Sequence, residues 1–335
     1  MTPGLEAIRQ LPKIELHLHL ETSLRLRRLA QRAALDDEPA LIADPSKFAG
    51  YDRLRRMRYA TRAGRVPDAL YTPENIEAIT FELLAEAAAH RLMYVEVRVG
   101  GRRGFQLLGA DRLFEAMARA CERAAAQFGI RCGIIVTVVR ERGPEEAGQR
   151  VREAVRGRSR GVVGVDLAGD EENYPPGLFS RPLALAREAG LGITAHAGEF
   201  AGPSSIWTAI YQLGATRIGH GIRAVEDPAL LDHLRDRGVT LEICPTSNLR
   251  LGLVASPSVH PLGRLAEHGV AVTINSDDPM LLDTDISREL AVALQVLGGG
   301  DGALSRVMAA AARAAFLPED ERRELERAVA APASR

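Results

Sequence analysis

The chain has 335 residues, 46% hydrophobic and 26% charged, the balance of a globular chain with a sizeable core; disorder and collagen-like repeats are excluded. Its 43 Lys and Arg against 44 Asp and Glu leave a formal net charge of −1, so no whole-molecule field draws it to nucleic acid or an anionic membrane, and a small-molecule partner is expected. Only Lys13 and Lys47 are lysines, which argues against Schiff-base chemistry, and Cys121, Cys132 and Cys244 lack the CxxC spacing of a zinc knuckle or the even count of a disulfide framework.

The first ten residues are charged and hold no apolar signal-peptide core. The longest nearly apolar stretch, Cys132–Val139, is far short of the roughly 18–20 residues that cross a bilayer. A cytoplasmic protein is expected. Along the chain, short β-branched runs alternate with longer amphipathic stretches rich in Ala, Arg and Glu. The runs, each a candidate buried strand, are Ile14–Leu20, Leu92–Val99, Arg131–Val139, Val162–Leu167, Gly192–Ala197, Arg217–His220, Val239–Cys244 and Ala271–Ser276. Helical patterns between them cover Asp111–Gln127, Pro144–Arg156, Ser180–Ala189, Ser204–Leu213, Pro228–Arg237 and Leu262–His268. Eight such alternations predict an α/β fold, a (β/α)8 TIM barrel. An open doubly wound sheet would usually start with a Gly-rich phosphate loop, and none follows the first run.

Roughly 70 residues separate the first run from the second, far more than a crossover needs. Leu24–Ala34 and Pro73–Arg91 read as helices there, and Lys47–Val66 as an Arg-rich helical piece. Because barrel sites lie at the C-terminal ends of the strands, residues 21–91 are placed to form a helical lid within a single domain spanning 1–335. Gly298–Gly302 reads as a turn, and residues 318–335 as a charged helix with a frayed end.

Of the eight histidines, His17, His19, His196 and His220 fall at the C-terminal ends of the first, fifth and sixth runs. His90, His233 and His268 sit in helical patterns and His260 in a loop, where a solvated or capping role is expected. His17 and His19 alternate along one strand and so share a face. With His196 and Asp277, which ends the eighth run, they offer three imidazoles and a carboxylate, a set suited to one zinc ion with a position left for water. Water bound there has its pKa lowered towards 7 and becomes a nucleophile, so hydrolysis or hydrolytic deamination is expected. Glu199 is the nearest proton donor, His220 can orient or deprotonate the water, Asp278 can accept a hydrogen bond from substrate, and Gly169 can offer a bare backbone N–H. Neither the HxE…PCxxC site of cytidine deaminases nor the HExxH helix of metalloproteases is present.

Six segments, LPKIELHLHLETSLR, DLAGDE, HAGE, RIGHG, LEICPTSN and INSDDP, resemble in order and spacing the motifs of the adenosine deaminase family, from about residue 10 to residue 290. The resemblance implies one zinc ion per chain on His17, His19, His196 and Asp277. It implies that Glu199 protonates purine N1, that His220 assists attack at C6, and that Asp277 is part of the catalytic set. It further implies a purine nucleoside substrate, with His19, Glu21, Gly169 and Asp278 among the binding positions; Asp278 meets N7 and Gly169 N3.

The chain departs from the family in one place. His-Leu-Glu-Thr stands where adenosine deaminases usually carry His-Leu-Asp-Gly, which puts Glu21 at the position facing the ribose 5′-oxygen. A glutamate there is commoner in branches acting on free adenine or on 5′-extended nucleosides such as aminodeoxyfutalosine. Gly219 before His220 is closer to the nucleoside branch, since adenine deaminases tend to have Asp there. Adenosine or a close derivative is therefore the expected substrate, with free adenine and 5′-extended nucleosides as alternatives. A more distant alternative is a metal-dependent ester or amide hydrolase; many of these bridge two metals with a modified lysine on strand four, and no lysine follows Lys47. A non-catalytic binding protein would not need the full ligand set. Arg25, Arg53, Arg55, Arg56 and Arg58 read as a solvated basic face, with an anionic 5′ extension as the other use.

Overall fold

Eight parallel strands pair in sequence order, β1 to β8: Lys13–His19, Leu92–Val99, Arg131–Val139, Val162–Ala168, Gly192–Ala197, Arg217–His220, Thr240–Ile243 and Val272–Ile274. The structure is a computed structural model that describes residues 4–20, 22–33, 51–54, 66–299 and 301–330. Helices follow the strands and wrap them, as in a (β/α)8 TIM barrel, the architecture expected from the sequence. Helix Ala110–Phe128 packs Leu113, Phe114 and Met117 into the layer between barrel and helices. Helix starts are chemically marked. Thr72, Asp227 and Asp285 each accept a backbone N–H from the first turn, and Pro73 and Pro228 fix φ at the first helical position.

Within the long segment after β1, Thr22–Arg32 and Pro73–Ala89 are helical, and residues 51–54 form one helical turn. Most of the Arg-rich piece expected at 47–66, with Arg55, Arg56 and Arg58, lies outside the described residues. Arg25 is not part of a solvated face: it is buried and pairs with Glu86 at 3.2 Å. The segment 204–213, read as one helix, is an α-helix over Pro203–Thr208 that widens into a π turn over Ala209–Leu213.

The barrel interior is charged. In β2, Val95, Val97 and Val99 face the helical layer, while Glu96 and Arg98 alternate with them and pair across the barrel with Arg217, Asp166 and Glu242 on β6, β4 and β7. Lys13, at the first residue of β1, closes the opposite end by donating to the carbonyls of Arg9, Leu11 and His90 at 3.0, 2.8 and 2.7 Å. Burial, with Arg91 nearby, pushes its pKa down to about 7, but it stands a whole strand length from the C-terminal mouth.

The seam between β8 and β1 is made differently from the other seven. One parallel bridge, Leu18 with Asp277, takes the place of a ladder: His19 N–H donates to the Asp277 carbonyl at 2.8 Å, and Asp277 N–H to the His17 carbonyl at 3.0 Å. Side chains complete it. Leu16 N–H donates to Asn275 Oδ1 at 2.9 Å, and Ser276 donates both its N–H and its hydroxyl to Glu15.

Glu289, on helix Ile286–Val296, accepts from Thr246 N–H at 2.9 Å and from the Thr284 hydroxyl. Burial raises its pKa from 4.5 to about 7. Between those values the folded chain holds a proton that the unfolded chain has released, so the stability this group contributes is full below the lower value and lost as pH rises through 7. Glu289→Gln is expected to gain melting temperature relative to the parent chain as pH rises from about 5 to about 8; parallel thermal melts check it.

Candidate active site

The C-terminal ends of β1, β5 and β6, with the segment after β8, bring together His17, His19, His196, His220 and Asp277, all buried. His17 and His19 share the inner face of β1, with their Nε2 atoms 3.3 Å apart, and Asp277 Oδ1 lies 3.7 and 3.4 Å from them. The His17 and His196 rings are 4.6 Å apart, and His220 is 5.1 Å from each. A bulge in β1 between Glu15 and Leu18 sits at this point, a usual device for aiming side chains. Asp277 lies three residues beyond β8 rather than at its end, with φ 60°; His220 has the same φ. Left-handed backbone at a non-glycine residue costs about 1–3 kcal/mol and gathers at functional sites.

Each ring is oriented from behind. His17 Nδ1 donates to Glu242 at 2.8 Å, and His196 Nδ1 donates to Asp166 at 3.0 Å. One guanidinium serves both carboxylates: Arg98 contacts Asp166 at 3.2 Å and Glu242 at 2.5 Å, and it also donates to the Leu16 carbonyl. With Nδ1 engaged, Nε2 of each imidazole is free to ligate. Burial holds the His17 pKa well below that of a free imidazole, with Arg98 adding to it, and burial lowers His220 to about 3. For Asp277, burial pulls the pKa up, but His19, His220, His196 and the Ser247 hydroxyl outweigh it and bring it to about 2. Neutral imidazoles and an ionised carboxylate are the states that bind a divalent cation. His17, His19 and Asp277 have their donor atoms within 4.8 Å of one another, as do His17, His196 and His220, so the residues fit a borderline ion such as zinc.

Glu199 Oε1 is 3.6 Å from His220 Nε2. The loop that carries it is tied down by Glu171, whose buried carboxylate accepts the N–H groups of Gly198, Glu199, Phe200 and Ala201 at 2.6, 3.2, 2.9 and 3.1 Å. Arg140 holds the same turn from the other side by donating to the His196 carbonyl at 2.7 Å. Asp278 is 2% exposed and begins the short helix Pro279–Leu282. Gly169 follows β4 with φ 113°, and a Cβ there would collide with the Glu141 carboxylate. Gly219 is confined in another way: a Cβ would lie 3.1–3.2 Å from atoms of His17 and His196. Tyr51 stacks edge-on against Phe200, and Leu54 packs with Leu24, Leu251, Leu281 and Leu282 beside it. Glu21 lies outside the described residues.

Asp166, Glu242, Arg98 and Glu171 do not stand out when strands are read as apolar runs. For the three strand residues the signal is alternation: VEVRV, VDLA and LEIC set charges between apolar residues, which in a buried strand demands a partner, whereas Glu171 lies in the segment after β4.

Convergent imidazoles and a carboxylate at the mouth of a (β/α)8 barrel form a group able to hold a metal ion, the kind of site hydrolases use. The sequence profile described as adenosine deaminase matches residues 12–332, and the chain belongs to that family of hydrolytic deaminases, which act on C–N bonds. It is similar to an adenine deaminase of Sinorhizobium fredii, 36% identical over 321 residues that cover 94% of this chain and 97% of the relative. It is also similar to an adenosine deaminase of Klebsiella pneumoniae, 39% identical over 259 residues, 77% of this chain and 78% of the relative. Among solved structures, an amidohydrolase of Burkholderia ambifaria with bound Zn superimposes with a TM-score of 0.85 at 27% identity, covering 97% of this chain and 91% of that one.

Proposed function

We propose that the chain removes the 6-amino group of adenosine or a close adenosine derivative by hydrolysis, with one zinc ion held by His17, His19, His196 and Asp277. The observation that carries this reading is Glu199 facing His220 at 3.6 Å beside the buried ligand set. Zinc held there would supply a water that is nucleophilic at neutral pH. Glu199, fixed by the Glu171 cradle, delivers a proton to N1 of the purine and so makes C6 electrophilic. His220 holds the attacking water against C6, Asp278 meets the imidazole edge of the base, and the Gly169 turn lets the backbone approach N3. Ammonia leaves, and a 6-oxopurine remains. A lid role is proposed for the segment 21–91, supported by Tyr51 lying against Phe200 next to Glu199.

Gly219 supports the nucleoside over the free base, because adenine deaminases tend to have Asp at that position; a Cβ there would lie 3.1–3.2 Å from atoms of His17 and His196. Free adenine is the second reading, favoured by the relative that matches 94% of this chain. Release of the 6-amine, as ammonia from adenosine, adenine and a 5′-extended adenosine and as methylamine from N6-methyladenosine monophosphate, separates them. The highest kcat/KM is expected on adenosine or its 5′-extended form; a preference for adenine selects the second reading. Neither ammonia nor methylamine from any of the four by metal-loaded protein rejects both.

A further inference from the structure

His260 looks incidental in the sequence, yet its side chain is 4% exposed and begins a chain of hydrogen bonds that ends on His220. The direction of that chain is set at its far end by a group with no choice. The Leu262 backbone N–H can only donate, and it donates to His260 Nδ1 at 3.0 Å. Burial lowers the His260 pKa to about 4, so the ring is neutral and carries its one proton on Nε2. That N–H donates to Asn248 Oδ1 at 3.3 Å. With Oδ1 turned to His260, the amide presents Nδ2, a donor only, to His220 Nδ1 at 3.4 Å. Nδ1 of His220 is therefore an acceptor. Asn248 and His220 are as buried as His260, so water does not compete, and reversing one link would set two donors or two acceptors face to face.

We infer that Asn248 and His260 are positioning residues that hold His220 as its Nε2–H tautomer, so that it meets the attacking water as a hydrogen-bond donor and not as a base. The role of the water rests on the deaminase reading above; the tautomer does not. His220 Nε2 points towards Glu199 Oε1, which places the N–H between that carboxylate and the ligand set. The proton lost by the water as its oxygen bonds to C6 then has the Glu199 carboxylate as its acceptor. That proton replaces the one the same carboxyl has already given to N1. The remaining hydroxyl proton leaves with the amine as the C6–N bond breaks, giving the 6-oxo group and ammonia.

The test is the ring-nitrogen signature of His220 in zinc-loaded protein with 15N-labelled histidine, read by long-range 1H–15N correlation and assigned by its loss in His220→Gln. Nε2–H with an unprotonated Nδ1 is expected. Asn248→Asp puts an acceptor against Nδ1; it is expected to move the proton there and to lower kcat about 100-fold or more with little change in KM. His260→Leu frees the Asn248 amide to turn and is expected to mix the two tautomers. His260→Gln, whose amide can donate to Asn248 Oδ1, should restore Nε2–H. An Nδ1–H signal in the unaltered protein overturns the inference, and so does Asn248→Asp with tautomer and kcat unchanged. Nε2–H in a protein that deaminates no purine supports the relay and rejects the deaminase reading.

Discussion

Glu199→Gln is expected to abolish ammonia release while leaving the zinc content of the protein unchanged. The side chain is 4% exposed and sits beside His220, not among the four atoms proposed to ligate. Glutamine keeps its volume, and the loop stays anchored because Glu171 grips backbone N–H groups and not the Glu199 side chain. What is lost is the ability to take up and give back a proton, a loss worth about 10²–10⁴ in rate for a positioned acid–base group. Metal analysis beside a turnover assay checks both halves. Loss of zinc in this variant would contradict the role given to Glu199.

Arg98→Met is expected to act on the metal instead of the proton. Arg98 is fully buried between Asp166 and Glu242, and it is the cation shared by the two carboxylates that aim His196 and His17. Methionine fills part of the space but leaves both carboxylates facing each other's field in a dry interior. Arg217 still touches Glu242, at 2.7 Å, so Asp166 bears most of the change. Breaking a buried pair of this kind costs about 3–5 kcal/mol of folding stability. Disturbing the groups behind ligating imidazoles costs about 10–100-fold in metal affinity. Denaturation curves and competition with a chelator measure the two effects, and a variant that binds zinc as tightly as the parent chain would remove Arg98 from the ligand support.

The strands were legible in the sequence because each is a short β-branched run bounded by turns, and their positions agree to within a residue or two, as with β1 at Lys13–His19. Disagreement concentrates at β7 and β8, which are shorter than their apolar runs, Thr240–Ile243 and Val272–Ile274. Past Ile274 the backbone leaves regular pairing, since Asn275 and Ser276 are committed to side-chain bonds with β1. Hydrophobicity does not encode that. The clustering of His17, His19, His196, His220 and Asp277 followed from strand ends alone. Arg98, Asp166 and Glu242 escaped because a run scored as apolar hides the charges within it, and Glu171 because it lies in the loop after β4. His260 escaped because its partner Asn248 is 12 residues away and carries no charge.

At the β8–β1 seam, the backbone atoms that join the two edges belong to His17, His19 and Asp277, the residues whose side chains converge inside. Topological closure and assembly of the reaction centre are thus a single event in this chain. A molecule whose last seam stays open has no centre at all, and an ion that draws the three side chains together also acts as a rivet across the edge where the sheet is thinnest. Such a protein reports its own completeness: to be active is to be closed.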